Sequence, residues 1–228
     1  MKNTEENKLD NPVLNSLAES HAIYAIDYDG TQFYDPDYCP FGGFINPETT
    51  WAAIDQYAEL AQNFFIVGEK PEISNSLKIV KELICLQMII YDKIEQPITS
   101  EIVKLTKEHH DELIELVNLV QPGYFKNKTT SLGNYYGIFK DNQLVAITGE
   151  RMKMTNFTEV SAIITHPDHT GKGYAKQLIT HGVNTIFSQN KIPYLHVVET
   201  NLGAIALYEK LGFVTRRKIS FWNIAKNQ

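Results

Sequence analysis

A mixed α/β fold is predicted for this chain of 228 residues, and three observations point to it. The second half reads, in order, as helix, three strands, helix, strand, helix, strand, an interleaving expected of layered α/β architecture. Apolar residues make up 43% of the chain and charged ones 21%, enough for a substantial core. A domain of this size buries roughly 70–75% of its unfolded surface. The third observation is an apolar strand that passes through a Gly-x-Gly turn directly into a helical pattern at residues 158–189. The length leaves room for one large domain or two small ones.

The elements follow from local pattern. Residues 1–20 are polar and suit a frayed segment or one short helix. His21 to Asp29 reads as a strand that turns at Asp29-Gly30. Tyr34 to Pro47, rich in Pro, Gly and aromatics, reads as a loop packed by its own rings. Pro47 opens a helix through about Ala61, and Asn63 to Gly68 is a short buried strand. Asn75 to Ile84 reads as a helix with Leu77, Val80 and Ile84 on one face, followed by a strand over Leu86 to Tyr91. Gln96-Pro97 marks the boundary, giving a polar segment 1–20, an N-terminal α/β half 21–97 and a second domain 98–228.

Past that boundary, Val103, Leu105, Leu113, Leu116, Val117 and Val120 suit one or two helices ending at Pro122-Gly123. Gly133–Lys140 and Gln143–Met154 are strands joined by the turn Asp141-Asn142, a hairpin signal. Thr158–Thr165 is a third strand, Gly173 to about Gln189 a helix, and Tyr194–Val198 a fourth strand. Asn201–Leu211 is a helix stopped by Gly212, and Phe213 onward returns to strand.

Composition narrows the function classes. The net charge is −6 and the sequence pI near 5.6, which argue against a non-specific nucleic-acid binder. The charge is uneven: residues 1–100 carry net −10, residues 101–169 net −2 and residues 170–228 net +6. An anionic ligand is therefore expected at the C-terminal part. Cys39 and Cys85 stand 46 positions apart without metal-site or disulfide spacing, in keeping with a reducing, cytoplasmic setting. No signal-peptide layout opens the chain, and no run approaches ~18 apolar residues, so neither membrane nor nucleic acid is an expected partner.

The chemistry concentrates at the glycine turn. Thr170-Gly171-Lys172-Gly173-Tyr174-Ala175 places unpaired backbone N–H groups at the positive end of a helix. Glycines let a bulky anion come close to the main chain, and a pyrophosphate is the natural guest. Lys172 and Lys176 add positive charge. The segment lacks the Gly-Lys-Ser/Thr of a Walker loop, and Lys176 stands where a dinucleotide fingerprint would need its third glycine. Alone, such a turn also suits a plain strand-to-helix connection.

The strand, turn and helix resemble motif A of the GNAT superfamily of N-acetyltransferases, Q/R-x-x-G-x-G/A, with Thr170 in place of the leading Gln or Arg. Asn201-Leu-Gly-Ala204-Ile-Ala-Leu207-Tyr208-Glu-Lys-Leu-Gly212-Phe213 resembles the superfamily's second signature without a mismatch. The resemblance covers about residues 100–225. Gly149–Met152, Glu159–Pro167 and Leu195–Val197 further resemble the glycine N-acyltransferase-like branch. That branch often carries an N-terminal half related to the same fold, so residues 21–97 are expected as a degenerate copy without a Gly-x-Gly turn. The resemblance implies a mixed, mostly antiparallel sheet flanked by helices.

It also implies a function and a site. Acetyl-CoA, or another acyl-CoA, would be the co-substrate, with no metal, and an amine the acceptor, attacking the thioester directly through a tetrahedral intermediate. The CoA-binding set would be Ile164, Thr165, Thr170, Gly171, Lys172, Gly173, Tyr174, Ala175, Asn201 and Ala204. Tyr208 would be the general acid near the thiol, since a phenol of reference pKa ~10 is protonated at neutral pH. A core tyrosine is the lesser alternative for Tyr208, and Asn201 equally suits an N-cap. The base would be Glu159, with Glu150 as alternative, or solvent; either glutamate could instead pair with Arg151 or Lys153. His166 and His169 flank Pro167 as turn elements. A catalytically silent CoA-binding sensor or scaffold is the other function class that the motifs allow. Neither the acceptor nor the choice between monomer and homodimer is legible.

Overall fold

The computed structural model describes residues 4–227. A 3-10 turn, Thr4–Asp10, leads into α1 (Pro12–Ala18), capped by the Asn11 side chain, which accepts from the Leu14 amide at 3.3 Å. β1 (Ala25–Tyr28) and β2 (Thr31–Tyr34) form a hairpin around Asp29 and Gly30, both at positive φ (50° and 90°), the twist that a two-residue turn requires. The strand expected from His21 begins only at Ala25, because residues 22–24 form a 3-10 turn. β3 (Phe41–Phe44) follows where a loop was expected, and all four of its residues are buried. The glycines that suggested a loop let the rings of neighbouring strands close over the backbone: a Cβ at Gly42 would overlap the Phe33 ring. α2 (Thr50–Ala58) and β4 (Asn63–Val67) lie where the pattern put them.

The largest departure is β5, a single strand over Leu77–Ile89. The expected helix over Asn75–Ile84 is absent. Leu77, Val80 and Ile84 have helical spacing, but Ile79, Val80 and Ile84 are β-branched, and a partner strand pairs with the segment from Leu77 to Ile89, broken only by bulges that leave Val80 and Arg216 without partners. That partner is β11 (Val214–Lys226), which returns from the far end of the chain. β6 (Val103–Leu105) is likewise a strand where Val103 and Leu105 suggested helix. The helix, α3 (His110–Val120), starts later, after Thr106 caps the preceding turn in a reciprocal box with His109. β7 (Tyr135–Lys140) and β8 (Gln143–Lys153) make the expected hairpin, with Asp141 and Asn142 both at positive φ. Then come β9 (Phe157–Thr165), α4 (Tyr174–Ser188), β10 (Ile192–Val198) and α5 (Leu202–Lys210). Gly212, at φ 98°, stops α5 as expected.

The described strands form one sheet in the order β1-β2-β3-β4-β11-β5-β10-β9-β8-β7-β6. Only β3 with β4 and β9 with β10 run parallel; the other neighbours are antiparallel. The fold is thus a mixed α/β arrangement with a largely antiparallel sheet flanked by helices. Strands on either side of Gln96-Pro97 share this sheet, and β11 is inserted between β4 and β5. Buried His21 joins the halves too, with Nδ1 2.9 Å from the Tyr34 hydroxyl and Nε2 2.9 Å from the Leu132 carbonyl. Aromatic packing consolidates the N-terminal side: Phe33 stacks on Tyr57 at 4.0 Å and Phe64 meets Tyr57 edge-on at 5.1 Å. Each such pair adds about 0.5–1.5 kcal/mol beyond the area it buries.

Candidate active site

The parallel strands β9 and β10 pair only at Ile192–Phe157, Pro193–Thr158 and Tyr194–Glu159. Beyond Glu159 they part, and a cleft of about 580 Å³ opens between them. Alternation along β10 gives this cleft two sides, since successive side chains of a strand face opposite ways. Leu195 and Val197 join the apolar cluster with Tyr208, Val160 and Leu211. Tyr194 and Val198 join the opposite cluster, with Phe41, Cys85, Phe221 and α1. Residues of both clusters line the one cleft.

β9 is irregular at this point. Its register against β8 jumps between Ile147–Ile164 and Gly149–Ser161, leaving Ala162 and Ile163 without paired residues. Ala162 sits at φ 50°, strained for a residue with a Cβ. Such a bulge takes residues out of the ladder, and Ser161, Ala162 and Ile163 line the cleft. Composition carried no signal for it.

The glycine turn lies at the mouth. Gly171 (φ 75°) and Gly173 (φ 77°) are exposed, and a Cβ built on either would meet nothing within 4 Å. Gly173 is the N-cap of α4, without a side-chain cap. Among the described residues, the amides of 171–175 donate to no carbonyl or side chain. Five free N–H groups at a helix N-terminus, before open space, fit a diphosphate. Ala175 connects the turn to the cleft lining, and Lys172, 3.3 Å from His169 Nδ1, adds a cation at its edge. Thr170 Oγ1 donates to the Pro167 carbonyl at 3.1 Å, while His166 Nδ1 accepts from the Asp168 amide at 3.2 Å, so both build the turn. Tyr174 lies beside the turn with Lys140 Nζ over its ring at 5.7 Å.

Asn201, Ala204, Leu207 and Tyr208 line the cleft from α5. Asn201 also caps that helix, its Oδ1 accepting from the Ala204 amide at 3.2 Å. Tyr208 is 7% exposed, and burial pushes its phenol up to about 12. Ile164 and Thr165 pair with Ile147 and Ala146 beyond the bulge, outside the cleft lining.

The two candidate bases are engaged elsewhere. Glu159 is 1% exposed. Arg151 Nη2 and Nε donate to its two oxygens at 2.6 and 2.8 Å, and the Met152 amide reaches it at 3.3 Å. His196 Nδ1 stands 2.8 Å from the same carboxylate, with Nε2 3.0 Å from Gln87 Nε2. A carboxylate only accepts, so Nδ1 carries the ring hydrogen and Nε2 accepts from Gln87. Burial alone would push the Glu159 carboxyl up, but Arg151 and His196 hold it down at about 2. Glu150 accepts from the Asn134 amide at 3.1 Å and from Lys153 Nζ at 2.7 Å. Neither glutamate lines the cleft.

Sequence reasoning passed over the opposite wall. Phe41, Phe65 and Phe221 meet edge-on, Phe41 lying 5.7 Å from each of the others, and Leu83, Cys85, His196 and Arg151 complete that side. Arg151 lies over the Phe41 ring at 4.8 Å. Burial pushes the Cys85 thiol up to about 12, which leaves it unreactive. Among the described residues, no group of three or more His, Cys, Asp or Glu is disposed to hold a metal ion, and no helix is long and apolar enough to cross a membrane.

Comparison with known proteins places this geometry. A model of the acetyltransferase (GNAT) family matches residues 100–213. A GNAT-family acetyltransferase structure from Novosphingobium aromaticivorans is 30% identical, with a TM-score of 0.83, covering 96% of this chain and 99% of that one. A GCN5-related N-acetyltransferase-like protein from Streptococcus suis shares the fold at 13% identity and a TM-score of 0.65, over 98% of this chain and 97% of that one. The spermidine N(1)-acetyltransferase of Vibrio cholerae is 47% identical over 55 residues, 23% of this chain and 31% of that protein. The match to this curated relative thus spans less than a third of its length. With the motif region matched and a near-full-length relative at this identity, the chain belongs to the acetyltransferase (GNAT) family.

Proposed function

We propose that the protein is an acyl-CoA-dependent N-acyltransferase that moves an acetyl group from acetyl-CoA to an amine by direct attack. One observation carries this reading: the free amides ahead of α4, the bulge at Ala162 and the Tyr208 phenol adjoin a single cleft where β9 and β10 part. The thioester supplies an activated carbonyl and a thiolate leaving group, so that a C–N bond replaces a C–S bond.

The chain's own groups supply the remainder. The amides of residues 171–175 hold the diphosphate, and the unpaired edges of β9 and β10 accommodate the amide-bearing arm. Main-chain N–H groups at the Ala162 bulge face the developing oxyanion. Tyr208, kept neutral by its apolar surroundings, gives its proton to the departing sulfur and recovers one from the acetylated nitrogen. Among the described residues no aspartate or glutamate lines the cleft, so the incoming ammonium gives up its first proton to water. Glu159 is then a positioning residue that holds Arg151 and His196 in the wall. Arg151 Nη1 remains as a donor for an acceptor oxygen after Glu159 has taken Nε and Nη2.

Thiol release from acetyl-CoA across a panel of amines tests the activity, with CoA titrated in a calorimeter alongside. Amine-dependent release and CoA binding are expected; a protein that neither binds CoA nor releases thiol would overturn the reading.

A further inference from the structure

We infer that the N-terminal half of this chain builds the acceptor's binding wall, and that the wall selects a primary amine carried on an aromatic or branched apolar body. The inference rests on the transferase reading of the cleft and names the acceptor of that same site. The side of the cleft away from Tyr208 draws Phe41 from β3, Phe65 from β4 and Leu83 from β5, with Phe221 from the inserted β11. The sheet sets these rings together by register: Phe41 pairs with Phe65, and Phe221 with Leu83. These rings pack edge to face, with Phe41 and Phe221 buried and Phe65 the more open, and give an apolar body a surface to cover, whereas a polyamine would have to shed water against it.

The polar groups on this wall agree. Arg151 on this wall is matched by Glu159, so the pair brings no net charge, and among the described residues no carboxylate lines the cleft to hold a second ammonium. What the pair leaves over is a directed donor. Arg151 Nε and Nη2 are held by Glu159, its guanidinium is stacked on Phe41, and among the described residues Nη1 has no partner. That N–H suits an oxygen on the acceptor, such as the carbonyl of an amino-acid amide. The spermidine N(1)-acetyltransferase relative matches over 55 residues, a span too short to reach from Phe41 to Phe221, so its acceptor does not carry over through this wall.

The test uses the full chain with acetyl-CoA and four acceptors: 2-phenylethylamine, phenylalanine amide, glycine and spermidine. The two aromatic amines are expected to exceed glycine and spermidine in kcat/KM by tenfold or more. Phenylalanine amide is expected to exceed 2-phenylethylamine, an advantage that Arg151→Lys removes. Phe65, only half-buried, is truncated to Ala and, as a milder change, to Leu. The Ala variant is expected to lower kcat/KM for the aromatic amines tenfold or more, chiefly through KM, with Leu between and CoA affinity unchanged. Preference for spermidine or glycine, four inert acceptors despite CoA binding, or Phe65 variants like the parent would each overturn the inference and leave the CoA site standing. Failure to bind CoA at all would overturn the underlying reading instead.

Discussion

The Arg151 guanidinium lies side-on against the Glu159 carboxylate, with Nη2 2.6 Å from one oxygen and Nε 2.8 Å from the other. This bidentate pair ties β8 to β9 at the edge of the cleft and fixes the guanidinium over Phe41. Removing the carboxylate strands a buried cation, a change that costs on the order of 3–5 kcal/mol. Glu159→Gln is therefore expected to lower the denaturation midpoint, measured with urea, and to raise KM for the acceptor. The acid limb of kcat should stay in place, because the proposed mechanism gives the amine's proton to water; a shift of that limb would restore Glu159 as the base.

Gly173 sits at φ 77° with open space where a side chain would go. Gly173→Val strains the backbone by about 1–3 kcal/mol and puts a branched group where the diphosphate is to rest. CoA affinity is expected to drop more than a hundredfold by calorimetry while far-ultraviolet circular dichroism keeps its shape. Retained affinity would remove the amide fan from the account.

Tyr208 packs beside Phe213, ring centroids 5.9 Å apart, and its phenol is a much weaker acid than in water. Tyr208→Phe keeps the packing and removes the proton. Turnover is expected to fall roughly 10²–10⁴-fold, the range of a general acid, with CoA affinity unchanged. Equal turnover would return Tyr208 to a packing role.

Acid stability follows from two buried groups. Burial holds His21 down to about 4, below its ordinary 6.5, against the raising effect of its bond to the Leu132 carbonyl. The unfolded chain takes up that proton first, so stability is whole above about 6.5 and falls as pH drops toward 4. Glu159, held at about 2 instead of 4.5, adds a second loss between those values. Urea midpoints measured from pH 7 to pH 3 should therefore decline in two stages, and His21→Gln should flatten the upper one.

Much of this architecture was legible where the signal is local. Asp141-Asn142 and Gly212 demand backbone shapes that few residues take, and Asn201 through Phe213 carries its signature within one helix and its stop. Long-range pairing hid the rest. Leu77–Ile89 has spacings that fit helix or strand, and only β11, about 140 residues away, decides between them. Phe41, Phe65 and Phe221 lie too far apart in sequence to announce a common wall. Glu159 was legible as a chemical group, yet its role depends on Arg151 and His196, which reach it from the neighbouring strands.

A crystal structure of the protein with acetyl-CoA tests the central claim most directly. The diphosphate is expected on the amides of Gly171 to Ala175, the sulfur beside the Tyr208 hydroxyl, and the acetyl carbonyl facing the bulge at Ala162. A diphosphate bound elsewhere, or a sulfur emerging away from Tyr208, would contradict it.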